Sequence, residues 1–340
     1  MVWQNSKILV AGGAGFIGSH IVDKLLRVGA EVTVLDNLYS GKIENIKHHN
    51  RDKNFHFVKG DVRNFKLVRD LVKNLDAVFN DAAVVSVPRS VENPLLANDV
   101  NVVGTLNLLK ASLDSGVKRF VQASSASVYG DTKTLPVHED LPAKPISPYA
   151  VSELAAENYA RVFHKVYGLE TVCLRYFNVY GPRQTCSAYS GATTIFVNQL
   201  VSSKPPAIES DGEQTRDFVY VEDVALANML ALTRKGAVGE VFNIATGEPT
   251  TINRLVQTLQ KVMGKEHLKP IHKERRAGDI RYSYASIEKA RKILGYNPMF
   301  PLEKGLRKLA EWYTIKPSKP SLPKKTGKNR KHLSLASQNQ

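Results

Sequence analysis

The sequence has few cysteines and no long hydrophobic run. Cys173 and Cys186 are the only two cysteines in 340 residues. Two are too few for a disulfide framework, and they do not match a metal site. No apolar segment approaches the ~20 residues that a membrane-spanning helix needs. The amino terminus runs almost directly into a predicted strand, so we expect no export signal. A cytoplasmic location is the simplest prediction.

Acidic residues are absent from the carboxyl-terminal segment. The net charge of the chain is +15, and residues 316–340 carry seven lysines and arginines but no acid. This segment is rich in Pro, Ser and Lys and cannot build a core, so we predict a disordered basic tail. The rest of the chain keeps a charge of +8. This distribution argues against nucleic acid or a membrane as a partner.

Strand-like and helix-like segments alternate through the first half of the chain. Residues 7–13 and 31–37 read as strands around a helix at 19–29, and three further β-branched runs follow. This rhythm predicts an α/β fold with a doubly wound parallel sheet. We expect a cofactor domain and a smaller C-terminal substrate domain. The cofactor domain covers residues 1–176 and is completed by about 219–246, and the substrate domain covers 177–218 and 247–315.

A glycine-rich turn joins the first strand to the first helix. In GGAGFIGSH, Gly12, Gly15 and Gly18 are spaced three residues apart. Glycine permits a tight turn, a close approach of a diphosphate, and close packing of helix on strand, as in Rossmann-type dinucleotide sites. Asp36 ends the second strand, where a carboxylate accepts the ribose hydroxyls of NAD and repels the 2′-phosphate of NADP. Lys42 is near enough in sequence to weaken that preference.

Several motifs together resemble one family. GGAGFIGSH, GDVRN, SSASVYGD, SPYAVSE, LRYFNVYGPRQ and RRAGDIRYS follow one another between residue 7 and about residue 300. In this order they resemble the extended short-chain dehydrogenases, and among them the NAD-dependent UDP-hexose 4-epimerases. The resemblance implies NAD as the cofactor and a UDP-sugar as the substrate.

The resemblance also implies a mechanism. Tyr149 would remove the proton of the sugar 4-hydroxyl while the C4 hydride passes to NAD, and Ser125 would hydrogen-bond the same hydroxyl. The 4-keto sugar then turns over and takes the hydride back on its other face. The dehydratases of the family have a threonine–aspartate–glutamate triplet where this chain has Ser125, Ala126 and Ser127. This difference favours epimerisation over loss of water.

Further contacts follow from the resemblance, residue by residue. Asp61 would meet the adenine edge, although an ordinary turn aspartate is nearly as plausible, and Arg216 and Arg275 would grip the diphosphate unless they are surface charges. Ser283 leaves room for an N-acetyl group on the sugar. The remaining cofactor contacts would be Phe16, Ile17, Asn37, Val62, Ala82, Ala83, Asn101 and Phe177. The remaining substrate contacts would be Ser86, Ser124, Ser127, Asn178 and Asp279.

Glu153 departs from the family pattern, which has a lysine four residues after the tyrosine. Two like charges about 5 Å apart at an effective dielectric near 20 repel by roughly 3 kcal/mol, or about 2 pKa units. We therefore expect Tyr149 to stay protonated at pH 7 and turnover to be impaired. The alternatives are a compensating lysine from elsewhere, a slow or silent NAD- and UDP-sugar-binding protein, or an inactive variant made to trap substrate. The rival reaction is another one of the extended short-chain family, such as uronate epimerisation. A plain alternative is a helix surface on which Glu153, Glu157 and Arg161 form ion pairs.

Two further features stay open from the sequence. Asp81 lies at a strand end near the predicted diphosphate, where it would either repel the phosphates or cap a turn. Two apolar helices, at about 95–115 and 150–167, would pair with their copies in a homodimer or pack only on their own sheet.

Overall fold

The computed structural model describes residues 3–184, 191–274 and 280–315. Cys186, Arg275, Asp279 and the predicted basic tail lie outside the described residues. The strands are β1 (Lys7–Ala11), β2 (Glu31–Asp36), β3 (Phe55–Lys59), β4 (Ala77–Asn80), β5 (Arg119–Ser125), β6 (Thr171–Tyr176), β7 (Asn178–Tyr180), β8 (Ala207–Glu209), β9 (Thr215–Arg216), β10 (Phe218–Tyr220), β11 (Val241–Ile244), β12 (Thr250–Thr251) and β13 (Ile271–Lys273). The α-helices are α1 (Phe16–Arg27), α2 (Phe65–Leu71), α3 (Val87–Glu92), α4 (Pro94–Asn98), α5 (Gly104–Asp114), α6 (Pro148–Tyr167), α7 (Ala192–Val201), α8 (Val221–Thr233), α9 (Ile252–Met263) and α10 (Leu302–Ile315).

Seven parallel strands form the main sheet, in the order β11-β6-β5-β4-β1-β2-β3. Every residue of β4 and β6 is buried, as expected for strands with helices on both faces. The direction in which successive strands are added reverses between β1 and β4, and a crevice opens at the carboxyl ends of strands at such a point. The predicted doubly wound α/β fold is confirmed.

Helices cover both faces of the sheet. On one face α1 and α8 pack together, with Ile21, Leu25 and Val224 in a shared core. On the other face α2, α5 and α6 supply a second core. Both cores draw side chains from β1, because alternate residues of a strand point to opposite faces.

A third apolar core lies outside the sheet. Tyr180 and Tyr220, from two short strands, pack with residues of α7, α9 and α10. Helix α9 begins after Thr251, whose side chain accepts a hydrogen bond from the N–H of Arg254, and it ends at Gly264 in the left-handed conformation. None of the described helices combines the length and hydropathy required to span a bilayer.

The predicted helix at about 95–115 is interrupted. Helix α4 starts at Pro94 after an Asn93 cap, and a π-helical turn over Asp99–Val103 then leads into α5. A π-turn inserts an extra residue into a helix and changes the direction of the side chains there. Asn101 lies within this turn. A second π-helical turn spans Ala290–Leu294.

Candidate active site

The glycine turn brings β1 and α1 closer than any side chain would allow. Gly12 has a φ of +77°, and a Cβ there would lie 2.7 Å from the backbone of Asp81. A Cβ on Gly18 would lie 2.4 Å from the carbonyl oxygen of Gly12. Phe16 and Ile17 form the first turn of α1, where N–H groups have no partner within the helix. The turn therefore offers a diphosphate a close backbone approach and several donors.

Asp36 is held at the end of β2 by backbone donors. Its Oδ1 accepts a hydrogen bond from the N–H of Leu38 at 2.8 Å, and its Oδ2 accepts one from the N–H of Ala14 at 3.0 Å. Burial is the main influence on the carboxyl, and it raises the pKa of Asp36. A Cβ on Gly41 would touch this carboxylate at 2.7 Å, so the loop after β2 closes tightly around it.

A cleft extends from the glycine turn along the carboxyl ends of the strands, and we call it the cofactor groove. Of the predicted cofactor residues, it brings together Gly12, Gly15, Asp36, Asn37, Val62, Ala82 and Ala83. The groove is also lined by five residues that were not predicted as cofactor contacts, namely Tyr39, Arg63, Asp81, Leu96 and Val100. The predicted dinucleotide-binding residues from four separate segments of the chain thus meet in one groove.

Two predicted cofactor residues have other partners. The carboxylate of Asp61 accepts hydrogen bonds from Asn37 Nδ2 at 2.8 Å and from Arg63 Nη2 at 2.8 Å. The bond from Arg63 is the main reason why the pKa of Asp61 is well below its usual value. Lys42 donates its backbone N–H to the carbonyl of Ala14 at 2.9 Å. Asp61 therefore holds Asn37 and Arg63 in place at the groove.

Tyr149 lies in the first turn of α6. The helix starts at Pro148 after Ser147, whose hydroxyl accepts a hydrogen bond from the N–H of Ala150. The phenol of Tyr149 is hydrogen-bonded to Ser125, as the predicted pairing requires. Burial, and then the negative charge of Glu153, raises the pKa of Tyr149 far above its usual value, and the bond from Ser125 lowers it only in part. This direction agrees with the prediction that Tyr149 is protonated at pH 7.

Glu153 is buried, with 6% of its surface exposed. The surface ion-pair interpretation of α6 is therefore wrong, and Glu157 is more deeply buried still. Asn101 Nδ2 donates to Glu153 Oε1 at 3.3 Å from the π-turn. Burial, with smaller contributions from Glu157 and Asp81, raises the pKa of Glu153 to about 8. Burial therefore favours the neutral form of Glu153 over the charged form that its sequence position suggested.

Glu157, one turn further along α6, forms an ion pair with Arg175. Arg175 Nε donates to Glu157 Oε2 at 2.8 Å, and Arg175 Nη2 donates to Oε1. The hydroxyl of Ser124 donates to Glu157 Oε2 at 2.8 Å. Ser124 is therefore turned into the protein, and this position does not fit its predicted contact with substrate. The Glu157–Arg175 pair fixes the strand end that carries Ser125.

Asp81 follows β4 and faces the cofactor groove. Tyr176 hydrogen-bonds its carboxyl group, and Asn228 Nδ2 donates to the Tyr176 hydroxyl at 2.8 Å. Burial raises the pKa of Asp81 to about 7. The sequence showed Asp81 as a strand-end carboxylate, but Tyr176 and Asn228 come 95 and 147 residues later, so their proximity could not be predicted.

A second cavity opens beside Ser125, and we call it the sugar cavity. Among its lining residues are the predicted Ser125, Ser127, Phe177, Asn178, Arg216 and Ser283, together with Tyr129, Tyr176 and Tyr282. The Oγ atom of Ser127 is buried without a hydrogen-bond partner within the described residues, so it is available to a ligand. Ser86 instead caps α3, where its hydroxyl accepts from the N–H of Arg89 at 3.3 Å. Phe177 lines the sugar cavity rather than the cofactor groove.

The sequence that builds these two cavities matches a known family. The family described as NAD dependent epimerase/dehydratase matches residues 8–245. The chain belongs to this family. The match runs from the second residue of β1 to just past the end of β11 and includes the glycine turn, Asp36, Ser125 and Tyr149.

Similar proteins span almost the whole chain. A putative UDP-glucose 4-epimerase of Methanocaldococcus jannaschii is 40% identical over 307 residues, which are 90% of this chain and 97% of the relative. A UDP-glucuronate 4-epimerase of Thermodesulfobacterium geofontis is 35% identical over 315 residues, with 89% and 95% covered.

Solved structures show the same fold. The UDP-N-acetylglucosamine 4-epimerase of Methanobrevibacter ruminantium M1, in complex with UDP-N-acetylmuramic acid, matches with a TM-score of 0.88 at 37% identity, and the match covers 92% of this chain and 99% of that one. The UDP-glucose 4-epimerase of Thermotoga maritima with UDP-glucose matches with a TM-score of 0.86 at 39% identity, covering 92% and 100%. The UDP-glucose 4-epimerase of Thermus thermophilus, in complex with NAD, matches with a TM-score of 0.81 at 36% identity, covering 91% and 99%.

NAD is the cofactor of this family, and the groove fits it. The groove is lined by Gly12 and Gly15 of the glycine turn, where helix α1 begins and its first N–H groups have no partner within the helix. Asp36 presents a carboxylate where the adenosine ribose would lie, which favours NAD over NADP. When bound, NAD supplies the acceptor for a hydride from the substrate.

Proposed function

We propose that this chain is a UDP-hexose 4-epimerase that oxidises the sugar transiently at C4. The observation that carries the proposal is the pairing of the Tyr149 phenol with Ser125, whose side chain lines the sugar cavity. A phenol paired with a serine hydroxyl that lines the cavity can move the proton of one sugar hydroxyl. The similarity to proteins named as UDP-glucose 4-epimerases supports the substrate class.

The chain's own residues divide the work between binding and proton movement. Ser125 orients the hydroxyl that Tyr149 deprotonates, and Phe177 and Asn178 form a wall of the sugar cavity. Arg216 lines the same cavity and has the planar donor geometry that suits a diphosphate. Arg275 and Asp279, predicted for the nucleotide end, stay predictions because they lie outside the described residues.

We further propose that both UDP-glucose and UDP-N-acetylglucosamine are substrates. Ser283 lines the sugar cavity, and its N–H donates to the carbonyl of Thr215 at 3.2 Å, which fixes the backbone on the cavity wall. A serine here leaves the volume that a larger side chain would take from a 2-acetamido group. Tyr282, at the preceding position, also lines the cavity, and it restricts the space on the neighbouring side.

A second candidate function is binding of NAD and a UDP-sugar with little turnover. The raised pKa of Tyr149 favours it, because a phenol that holds its proton is a weak base. Uronate epimerisation remains a third candidate, since a UDP-glucuronate 4-epimerase is among the similar proteins.

We also propose a two-lobed organisation and a homodimer. The lobes are the predicted cofactor domain, to which β11 contributes a strand, and the substrate domain around the third apolar core. In the dimer the α4–α5 region and α6 of one copy would pack against those of the other. A cytoplasmic location stays a prediction.

The deciding experiment incubates the purified protein with UDP-glucose, UDP-N-acetylglucosamine and UDP-glucuronate and separates the C4-inverted products. Tightly bound NAD is measured in parallel after acid release. Inverted UDP-glucose is expected, and Tyr149→Phe should lower the rate by about 10²–10⁴-fold without loss of NAD. Bound NAD without any inverted product would establish the binding-protein alternative, and product from UDP-glucuronate alone would establish the uronate one.

A further inference from the structure

Two adjacent histidines and an aspartate converge on one point outside the proposed active site. Asp23 belongs to α1, and His48 and His49 belong to a short 3-10 turn between β2 and β3. His49 Nε2 lies 2.7 Å from Asp23 Oδ1, and His48 Nε2 lies 3.0 Å from the same oxygen. We call these three residues the Asp–His cluster. They line neither the cofactor groove nor the sugar cavity.

The atoms of the Asp–His cluster have the chemistry and the spacing of metal ligands. Within the described part of the chain, it is the one group of three histidine, cysteine or acidic side chains whose ligand atoms all lie within 4.8 Å of one another. Imidazole nitrogen and carboxylate oxygen bind zinc at about 2.0–2.2 Å, so the ligand atoms of a tetrahedral site are about 3.3 Å apart. The distances to Asp23 Oδ1 need to widen by only a few tenths of an ångström to admit an ion.

The cluster is shielded on most sides and open on one. The side chains of Asp23 and His49 are 19% and 17% exposed, and that of His48 is 46% exposed. The ring of His49 packs between those of His48 and Phe55, with centroid distances of 4.0 Å and 5.7 Å. These contacts hold the rings in place. An ion therefore has an entry path beside His48, and a water molecule has room to complete the coordination.

Arg183 fixes the orientation of the carboxylate. Its Nη2 atom donates to Asp23 Oδ2 at 2.7 Å, so it occupies the oxygen that the histidines do not contact. An outer partner of this kind holds a ligating carboxylate in position. The positive charge of the guanidinium also opposes a cation nearby. We therefore expect a site weaker than a closed zinc site built from cysteines.

We propose that Asp23, His48 and His49 bind a divalent transition-metal ion, and that zinc with one water molecule suits this ligand set. Imidazole is a ligand of zinc, copper, iron and nickel, and zinc accepts a tetrahedral set of two nitrogens and two oxygens. Each ring would bind through Nε2 and carry its proton on Nδ1. The inference goes beyond the proposed 4-epimerase function and does not depend on it.

The ion would brace three separate segments of the chain. Asp23 already holds Arg183, and on the same helix His20 Nε2 lies 3.1 Å from the carbonyl oxygen of Pro182. Pro182 and Arg183 follow β7, whose first residue, Asn178, lines the sugar cavity. A metal at the cluster would join α1 and the 3-10 turn more firmly beside the segment that leaves this cavity. Its role is structural, because no ligand lines either cavity.

The first test is a zinc titration of the untagged, metal-stripped full-length protein in competition with a chromophoric zinc chelator. One zinc per chain is expected, with a Kd of about 1 μM or below. His48→Ala and His49→Ala should each weaken binding by about 100-fold or more, since loss of even an outer-shell partner costs 10–100-fold. His56→Ala is the matched control, because His56 is 51% exposed on β3 and lies outside the cluster.

The second test reads the ligands themselves. X-ray absorption at the zinc edge should show two imidazoles among nitrogen and oxygen ligands at about 2.0–2.2 Å, and one imidazole fewer in His48→Ala. Zinc should also raise the thermal midpoint of the wild type and of His56→Ala, because a ligand that binds only the folded state stabilises it. His48→Ala should show no such rise, and its circular dichroism spectrum checks that it is folded.

The outcomes are distinguishable. No stoichiometric zinc, or equal zinc affinity in His48→Ala and His56→Ala, would mean an adventitious ion only and would overturn the site. A zinc spectrum with sulfur ligands would overturn it as well. Epimerisation by the wild type should stay within about twofold when the metal is removed, and abolition of turnover would overturn the structural role. Specific zinc binding by a protein that inverts no UDP-hexose would support the site and contradict only the proposed function.

Discussion

Glu153 should make the stability of the protein depend on pH. Its pKa is about 8 in the folded protein, above the ordinary value of 4.5. Between these values the folded protein binds more protons at this carboxyl than the unfolded chain does, so the free energy of unfolding falls as the pH rises through that window. The stabilising contribution of Glu153 should be fully lost once the pH exceeds its pKa in the folded protein.

Glu153→Gln should remove this dependence, because an amide has nearly the same shape and no titration. We expect the variant to exceed the wild type at pH 8.5 by on the order of 2 kcal/mol in the free energy of unfolding, and to differ less at pH 5. Urea denaturation at both pH values is the measurement, with Glu170→Gln as the control. Identical pH slopes for wild type and variant would contradict a neutral, buried Glu153.

Ser283 should set the size of the substituent that the sugar can carry. Ser283→Tyr fills the volume beside the 2-position, so kcat/KM for UDP-N-acetylglucosamine should fall by about 10–200-fold. The kcat/KM for UDP-glucose should change much less. Ser283→Ala, which keeps the space, is the control and should leave the ratio of the two kcat/KM values unchanged. An equal loss for both sugars would mean that Ser283 does not lie beside the 2-substituent.

At the residue scale, the sequence predicted the positions that depend on a local motif, and the roles of these residues stay predictions. Tyr149, Ser125 and Asp36 have the predicted positions, because each lies at a strand end or helix start that the local pattern identifies. The state of Glu153 was not predictable, because it depends on Asp81, Asn101 and burial by three other elements. The inward direction of Ser124 was also missed, although neighbouring residues of a strand point to opposite faces.

Helix α1, which begins at the glycine turn, has no room for a side chain at Gly18. A Cβ on Gly18 would meet the carbonyl oxygen of Gly12 at 2.4 Å, and backbone cannot move aside as a flexible side chain can. Gly18→Ala should therefore lower the free energy of unfolding by about 1–3 kcal/mol and reduce the NAD that copurifies. The thermal midpoint and acid-released NAD report the two effects. Gly236→Ala is the control, because its Cβ would meet only a side-chain methyl at 3.5 Å.

At the element scale, the alternation of strands and helices was predictable because each element has its own periodicity. The interruption of the helix at 95–115 was not, since an apolar stretch gives no sign of a π-turn. The extra residue there places Asn101 so that it donates to both Ser152 and Glu153. Such local changes of helix type depend on tertiary partners that the sequence does not bring together.

At the scale of the whole molecule, one exposed apolar face lies where we expect a second copy of the chain to pack. Tyr159, Val162 and Val166 recur on one side of α6 and are 40%, 47% and 63% exposed. Leu95 and Val103 are also exposed in the α4–α5 region, at 75% and 42%. Apolar residues grouped in this way on two adjoining helices mark an association surface.

Val162→Arg should therefore convert the predicted dimer into a monomer, because it places a charge in the contact. Light scattering coupled to gel filtration measures the mass. Ile271→Arg is the control, since Ile271 is 54% exposed on β13, away from α6, and this variant should stay dimeric. A monomeric wild type would contradict the dimer at once.

Asp217 joins the chain near residues 246 and 285 in a way that leaves most nearby side chains free to vary. This buried carboxylate accepts hydrogen bonds from the backbone N–H groups of Thr246, Gly247 and Ala285, and one from the Thr246 hydroxyl. Because three of these four donors belong to the main chain, replacement of nearby side chains does not remove them. Mutations on the wall that includes Ser283 can therefore accumulate while the backbone there stays anchored, which would allow one scaffold to evolve a preference for a different sugar without redesigning its cofactor chemistry.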